Sequence, residues 1–300
     1  MRRIGYLLMA PLTEPPSPER AALLEGLRAL GYVEGRNLTI EYRSAEMERD
    51  FLPQLAAELV KAGVELIFAV ENVTVSAVLQ AAPAMPVVFV SIVDPVEMKF
   101  AQSLARPGKS VTGITLLGVN LAPKRLELLR DLRPGAKRIA VLQNSITAGT
   151  ASEWPALQPA AKKLGFTLEL FPIRDAADIP RQLQRIARAK TDGLFLTTGS
   201  RTIGARRIIA EFALKQRLPS VMGFSGYTQA GGLLSLAPNF AEQFGRAASY
   251  VDKILKGARP GELAIEQPST FELVINLKTA KALGISVPQS LLIRATRVID

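Results

Sequence analysis

The sequence predicts an α/β protein of two Rossmann-like, doubly wound lobes, each with its own parallel sheet. Short apolar strands alternate with helical segments along the whole chain, which is typical of βαβ units. A length of 300 residues suits two domains of ordinary size. The stretch PVVFVSIVDP at residues 86–95 starts with a Val-rich run, which indicates a strand buried on both faces of a parallel sheet.

The first lobe is predicted to alternate strands and helices regularly. Glycine closes several helices just before an apolar strand, as at Gly31 and Gly63, because it adopts the left-handed conformation that ends a helix. The predicted elements are strand 4–9, helix 17–31, strand 38–42, helix 51–63, strand 64–70, helix 74–82, the strand after Pro86, and helix 97–105. The segment VTGITL at 111–116 is predicted to be a strand that leaves this lobe.

After Gly118 the alternation starts again, which indicates a second lobe of similar construction. The predicted elements are helix 123–132, strand 138–142, helix 153–164, strand 167–171, helix 179–189, strand 193–197, helix 203–216 and strand 220–222. The tail adds strand 231–236, a helical apolar stripe at 247–255, strand 271–275 and a helix that ends at 283.

The tail is expected to return to the first lobe and to cross again, which gives a hinge of several crossovers. We therefore expect residues 1–116 and 231–262 to form the N-terminal lobe. Residues 117–230 and 263–300 are expected to form the C-terminal lobe, with a ligand cleft between the two.

The composition excludes several classes of function. The net charge is +10, but the basic residues are spread along the chain and only 6% of residues are aromatic, so no nucleic-acid partner is expected. The chain has no Cys and no His, which removes thiol nucleophiles, His bases and the common zinc sites. We therefore expect no catalytic residue, no metal and no cofactor, and hence no enzyme.

Two segments resemble a known motif but lack residues that the motif requires. The glycine spacing of GSRTIG at 199–204 is that of a P-loop, but Ala205-Arg206 replaces the Lys-Ser/Thr pair that holds phosphate and magnesium. The start MRRIGYLLMAPL has a short apolar part and no small-residue cleavage site, so we interpret it as leading into the first strand. No apolar run approaches the ~20 residues that a membrane span requires.

Six segments carry a resemblance to a known family. They are LRALGYVEGRNLTIEYRSA, DPVEM…SLARPGKSVTG, LPSV…QAGGLLS, GGLLSLAPNF, AASYVDKILKGARPGEL and EQPSTFELVINLKTAKALGISVP. In this order they resemble the ABC-transporter substrate-binding proteins of the TrpX type, and the tail is the most specific part. The resemblance implies the type I periplasmic-binding-protein fold, with two α/β lobes joined by three crossovers.

The resemblance also implies a function and partners. Such a chain is expected to be the solute-binding component of an ABC importer, which captures an aromatic or related amino or carboxylic acid and delivers it to a membrane permease. We expect a monomer that is periplasmic or exported and membrane-associated, with any export signal removed or never present. The alternatives are a ligand-sensing domain of a signalling system and, less favoured, a Rossmann-like enzyme.

In an open parallel sheet the ligand lies just beyond the carboxyl ends of the strands. In the first lobe this places Ser91 and Asp94 at the ligand. Asp94 matches the family's Asp-Pro, where its carboxylate can accept a charge-assisted hydrogen bond from a ligand ammonium. The alternative is an Asp that stabilises its own turn.

The third strand of the first lobe ends in a departure from the family pattern. Where the family usually carries Gly-Thr, this chain has Glu71 and Asn72, followed by Thr74. The helix N-terminus there can seat a carboxylate, and the Thr74 hydroxyl can add to it. Glu71 either turns to solvent or favours a ligand that presents an amine or a hydroxyl.

In the second lobe, small polar residues follow the predicted strands and are expected to face the ligand. They are Asn144, Ser145, Thr198, Ser200, Phe224, Ser225 and Tyr227. Hydroxyl and amide groups suit neutral hydrogen bonding, although some of them can simply cap helices. The rings of Phe224 and Tyr227 can stack on an aromatic ligand or belong to the core. Further departures from the family pattern, at Gln229 and at Leu236-Ala237, bear on the shape of the pocket.

Overall fold

A computed structural model describes residues 1–91, 94–116, 118–145 and 148–300, without the side chains of 148–152. The strands are β1 Arg2–Leu8, β2 Leu38–Ser44, β3 Leu66–Val70, β4 Val87–Ser91, β5 Val111–Thr115, β6 Arg138–Asn144, β7 Thr167–Ile173, β8 Gly193–Leu196, β9 Ser220–Met222, β10 Leu234–Ala237, β11 Glu272–Asn276 and β12 Arg297–Ile299. The helices are α1 Pro18–Ala29, α2 Leu52–Lys61, α3 Asn72–Ala81, α4 Gly118–Leu132, α5 Ala148–Leu164, α6 Asp178–Arg188, α7 Ser200–Gly204, α8 Arg206–Lys215, α9 Gly226–Gln229, α10 Phe240–Leu255, α11 Leu277–Leu283 and α12 Gln289–Arg294.

The chain folds into two compact units and passes three times from one to the other. Unit 1 comprises Met1–Leu117 and Phe240–Ser269, and unit 2 comprises Gly118–Asn239 and Thr270–Asp300. Each unit is an α/β body of the predicted class. In the described part of the chain, no helix combines the length and the apolar composition of a membrane span.

The boundaries of the units differ from those expected. Residues 231–239 belong to unit 2 rather than to the first lobe, because β10 pairs with β9 on one side and with β11 on the other. Residues 263–269 belong to unit 1, because Ile265 is buried in its core and the Thr112 hydroxyl donates to the Leu263 carbonyl at 2.8 Å. The expected start of the second lobe at 117 lies outside the described residues, as do residues 92–93 of the PVVFVSIVDP stretch.

Unit 1 is built on a five-stranded parallel sheet in the order β2-β1-β3-β4-β5. The Val-rich strand β4 shows why the sheet is buried on both faces. Val88 and Val90 pack into a core on the side of α1 and α10. Val87 and Phe89 point the other way, into a core with α2 and α3. Alternate side chains of one strand thus hold two helical layers, as its apolar run predicts.

Unit 2 is built on a seven-stranded sheet in the order β12-β11-β10-β9-β8-β6-β7. The pairs are parallel except for β10 with β11, where the chain returns in the antiparallel direction. Ile139 and Val141 of β6 face a core with α4 and α5. Ala140 and Leu142 face the opposite core, which α6 and α8 cover. Unit 2 therefore also has a helical layer on each face of its sheet.

The prediction of a helix at 97–105 is wrong. Residues 95–99 form turns, and the backbone N–H groups of Phe100 and Ala101 both donate to the Pro95 carbonyl, at 2.9 and 3.1 Å. Lys99 adopts a left-handed φ of 59°, which interrupts any helical run. The chain then turns inward, and Phe100 and Ala101 are buried in the unit 1 core. Burial of these two side chains decided the path of the chain here.

Other differences from the predicted elements are smaller. The single helix expected at 203–216 is two helices, α7 and α8. The short elements α9, α12 and β12 were not predicted, since segments this short carry little periodicity.

Candidate functional site

At the carboxyl end of β3, Glu71 adopts a backbone conformation that is essentially reserved for glycine. Its φ is 78° and its ψ is 160°, a region that costs other residues about 1–3 kcal/mol. The Glu71 N–H donates to the Val90 carbonyl of β4 at 3.1 Å, which ties the residue to the neighbouring strand. The family's glycine therefore fits this geometry without strain, whereas Glu71 occupies it at a cost.

Glu71 also opens helix α3, whose first residues are predicted to bind ligand. Asn72 and Thr74 are both buried. The Thr74 hydroxyl lies 2.7 Å from the carbonyl oxygens of both Val70 and Glu71, to which it donates. That donor therefore fixes the start of the helix.

Ser91 ends strand β4 next to Thr115 of β5, with which it pairs in register. Both residues are buried. Ser91 was predicted to lie at the ligand, whereas Thr115 was not, although it lies in the predicted strand VTGITL. The strand pairing is what brings the two hydroxyl-bearing residues to the same edge of the sheet.

Asp94 is exposed and supports its own turn. Its Oδ1 accepts hydrogen bonds from the backbone N–H groups of Val96 at 2.8 Å and Glu97 at 3.4 Å. This is the turn-stabilising alternative considered for Asp94. Its contact with a ligand stays a prediction.

In unit 2, the ends of β6 and β8 are joined side by side. The Asn144 N–H donates to the Thr197 hydroxyl at 3.0 Å, and the Ser145 N–H donates to the Ile173 carbonyl of β7 at 2.9 Å. Asn144 is fully buried against Gly199, where an added Cβ would lie 2.1 Å from the Asn144 amide nitrogen. Gly199 is therefore needed for the amide to approach the backbone just before Ser200, which starts α7 and is also buried.

Beneath this edge lies a buried ion pair that was not predicted from the sequence. Arg125 of α4 and Glu153 of α5 are both fully buried, with Nη1 and Oε2 3.3 Å apart. The other Glu153 oxygen accepts a hydrogen bond from the Thr198 N–H at 3.2 Å. Arg125 also donates to the Gly118 carbonyl, and its Nη1 lies 3.5 Å from the Thr198 hydroxyl. The pair therefore holds the backbone of a predicted ligand-binding residue.

Burial dominates the electrostatics of this pair. It raises the pKa of Glu153 above its ordinary range, and the Arg125 guanidinium and the Thr198 N–H oppose part of that rise. Burial likewise lowers the pKa of Arg125, which Glu153 opposes. Among the described residues, Arg125 Nε has no hydrogen-bond partner. No sequence signal marks the pair, because its members are 28 residues apart on helices that look ordinary.

Gly223 follows β9, and because it has no Cβ it leaves space for the side chains of Arg125 and Thr198. A Cβ at this position would lie 2.2 Å from the Thr198 hydroxyl and 2.8 Å from the Arg125 guanidinium. The ends of β8 and β9 thus close over the ion pair. Next along the chain, Phe224 and Ser225 are partly exposed, and the Arg206 guanidinium lies 6.0 Å from the Phe224 ring centre. Both residues stay predicted ligand contacts.

Tyr227 differs from these two residues, and the structure shows the core alternative that was considered for its ring. Its exposed fraction is 0%, and it packs in the core beneath α8. Its hydroxyl donates to the Ser220 hydroxyl at 2.6 Å, and burial raises the pKa of Tyr227 above its ordinary range. The side chain is therefore part of the core of unit 2.

We expect Tyr227→Phe to lower the free energy of unfolding by about 1 kcal/mol, because one buried hydrogen bond is lost and Ser220 keeps an unmatched hydroxyl. Ligand affinity should not change. Trp154, the single Trp of the chain, lies in unit 2, so its fluorescence during urea denaturation measures the stability and calorimetry measures the affinity. A loss of affinity with unchanged stability would return Tyr227 to the binding site.

Comparison with known proteins adds independent information. The family model described as "ABC transporter substrate binding protein" matches residues 16–299. A tyrosine-binding protein of Clostridioides difficile (strain R20291) is 25% identical over 275 residues, which cover 91% of this chain and 79% of that protein.

Solved structures are similar over nearly the whole chain. A conserved domain protein from Vibrio cholerae is 28% identical, with a TM-score of 0.92 and 99% of each chain covered. An ABC domain in complex with L-Trp from Streptococcus pneumonia is 22% identical, with a TM-score of 0.88 and 99% of each chain covered. Together with more distant periplasmic binding proteins, these structures confirm the predicted type I periplasmic-binding-protein fold.

Proposed function

The chain belongs to the family of ABC transporter substrate binding proteins, and we propose that its ligand is a free amino acid with an aromatic side chain. Members of this family bind a small molecule for an ABC permease and are typically extracellular or periplasmic. The observation that carries the choice of ligand is the likeness to a tyrosine-binding protein over 91% of the chain.

The chemistry of the two sheet edges supports this choice. An amino acid presents an ammonium, a carboxylate and a side chain, and each needs a different partner. In our proposal, the carboxylates of Glu71 and Asp94 accept hydrogen bonds from the ammonium, since charge-assisted bonds are the stronger ones. Asn72, Thr74 and Ser91 complete this edge.

In our proposal, unit 2 binds the carboxylate and the aromatic ring of the ligand. Asn144, Ser145, Thr198 and Ser200 offer amide and hydroxyl donors, and Ser225 follows on the next strand. Phe224 is partly exposed, and we propose that its ring stacks on the aromatic side chain of the ligand. Thr198 is held from below by Glu153, which gives this edge the rigidity that a selective site needs.

The proposal includes no chemical step. The chain contains no His or Cys, and we propose that it acts without a catalytic residue, metal or cofactor, as a monomer with no nucleic-acid partner. In this proposal the ligand selects, among the states that the protein can adopt, the one that it binds best.

The test is a binding series with L-tyrosine, L-tryptophan and two analogues. Tyramine lacks the carboxylate, and 3-(4-hydroxyphenyl)propanoate lacks the ammonium. We expect both amino acids to raise the melting temperature, since a ligand at 100 times its Kd adds about 2.7 kcal/mol of stability. Each analogue should bind at least about tenfold more weakly, because it leaves polar groups unpaired.

L-Lysine and L-glutamate serve as controls that keep the backbone groups of the ligand but lack the ring. Equal stabilisation by these two would overturn the aromatic preference. If neither aromatic amino acid raises the melting temperature while a sugar or another class of ligand does, the proposed ligand is wrong although the family assignment stands.

A further inference from the structure

The net positive charge of the chain comes entirely from unit 2. Unit 2 carries 22 Lys and Arg against 10 Asp and Glu, a net charge of +12. Unit 1 carries 15 against 17, a net charge of −2. The basic residues look evenly spread along the sequence, and only the division into units reveals the asymmetry.

Much of this charge lies on one helical layer of unit 2. Helices α6 and α8 lie on the same face of the sheet, where Leu183 and Ile209 share one core. We use the term α6–α8 face for this layer. Its exposed residues include Arg185, Arg188, Arg207, Ile208, Leu214 and Lys215, together with the acidic Glu211. Lys190 and Arg217 follow the two helices and are exposed as well.

These cations are not neutralised within the protein. In the described part of the chain, no carboxylate lies within 4.0 Å of a charged nitrogen of Arg188, Arg207 or Lys215. Basic residues elsewhere do form ion pairs, as in Arg2–Glu65 at 2.5 Å and Arg43–Glu58 at 2.9 Å on unit 1 and Arg138–Glu169 at 3.0 Å on unit 2. The α6–α8 face therefore keeps a positive field available to a partner.

Helix stability explains only part of this arrangement. Arg188 and Lys215 lie in the last turns of their helices, where a cation interacts favourably with the helix dipole. Arg206 and Arg207 lie in the first turn of α8. This turn contains no acidic residue, and a cation there interacts unfavourably with the helix dipole. Arg207 therefore destabilises the start of its own helix, which favours a role in binding a partner rather than in folding.

The apolar residues of the face identify the chemistry of the partner. Among the described residues of unit 2, the exposed large apolar side chains are Ile208 at 59%, Leu214 at 39% and Ile293. Two of the three lie on α8 among the cations. A basic helix with exposed aliphatic residues suits an anionic lipid surface, where cations meet headgroups and the aliphatic residues insert between them. Nucleic acid would favour exposed aromatic side chains instead, and this face has none.

We propose that the α6–α8 face binds an anionic membrane surface. The protein lies on the bilayer through unit 2, with the cations of both helices at the headgroups and Ile208 and Leu214 at the boundary with the acyl chains. This contact involves none of the residues assigned to the amino acid ligand. It would hold the protein close to a membrane partner, and it does not depend on what that ligand is.

The test is flotation of the purified chain with vesicles of phosphatidylcholine alone and with vesicles in which phosphatidylglycerol replaces part of it. We expect binding to the anionic vesicles only, and we expect it to weaken as salt is added. Arg188→Glu with Lys215→Glu should reduce that binding at least about tenfold, since each cation near such a surface contributes appreciably. Ile208→Ser with Leu214→Ser should reduce it severalfold.

The matched control is Lys162→Glu with Lys163→Glu, two exposed residues in the last turn of α5 on the opposite face of the sheet. Both charge-reversed variants lower the net charge from +10 to +6, and both change last-turn cations. Equal loss of binding in the two variants, or equal binding to neutral vesicles, would overturn the proposal. Binding to duplex DNA or polyglutamate but not to anionic vesicles would also overturn it.

Discussion

Replacing Arg125 by Met destabilises unit 2 by about 3–5 kcal/mol at neutral pH, because removal of one partner leaves the other charge buried and unpaired. Glu153 is then left buried without its cation, while the N–H and the hydroxyl of Thr198 still bond to its carboxylate. Urea denaturation followed by the fluorescence of Trp154, the neighbour of Glu153, measures the loss in the affected unit. Circular dichroism reports both units, so a transition that appears there and not in the Trp fluorescence belongs to unit 1, which lacks Trp.

The pH dependence of this loss has a definite sign. Burial raises the pKa of Glu153 in the folded state, and the Arg125 guanidinium opposes that rise in the native protein. Without Arg125 the pKa rises further above the unfolded value of about 4.3, so the folded variant gains stability as it takes up a proton. The difference from the native protein should therefore shrink as pH falls from 7 towards 5. A difference that does not vary with pH would show that lost packing, rather than charge, causes the effect.

The matched control for the ion pair is the double variant Arg125→Met with Glu153→Leu. An apolar pair of similar volume is often as stable as a buried ion pair, so the double variant should recover most of the stability that Arg125→Met loses. If the double variant is as unstable as the sum of the two single variants, the two residues do not act as a pair.

Glu71→Gly stabilises unit 1 by about 1 kcal/mol. Glycine relieves about 1–3 kcal/mol of backbone strain at a φ of 78°, and part of that gain is lost to the greater freedom of the unfolded chain. Glu71→Ala removes the same carboxylate but keeps a Cβ, so it should bring no such gain. Scanning calorimetry of the three proteins measures the contrast, and equal melting temperatures for Gly and Ala would show that Glu71 is not strained.

The same two variants test whether Glu71 faces the ligand, which rests on the proposed function. If its carboxylate accepts a hydrogen bond from the ammonium of L-tyrosine, both variants should lower the affinity at least about tenfold. Glu71→Gln keeps the size of the side chain and removes only the charge, so it should lower the affinity as well. Unchanged affinity in all three variants would show that the side chain does not contact the ligand. The strain at the backbone would be unaffected by that result.

Several features of this protein could be predicted from the sequence because they depend on local periodicity. Alternating strands and helices gave the α/β class, and the Val-rich run of β4 indicated a sheet covered on both faces. Polar residues after the strands, such as Ser91 and Asn144, were correctly placed at strand ends, since a parallel sheet brings its carboxyl ends to one edge. Length and composition were enough for two domains and excluded the chemistry of Cys and His.

The tertiary structure decided what depends on partners distant in the sequence. Burial placed Tyr227 in the core, and burial of Phe100 and Ala101 prevented a helix at 97–105. Strand pairing assigned β10 to unit 2, and the Arg125–Glu153 pair formed because α4 and α5 pack on one face of the sheet. Periodicity is a property of neighbouring residues and is written in the sequence. The choice among distant partners depends on which side chains exclude water together, and only the folded chain determines that.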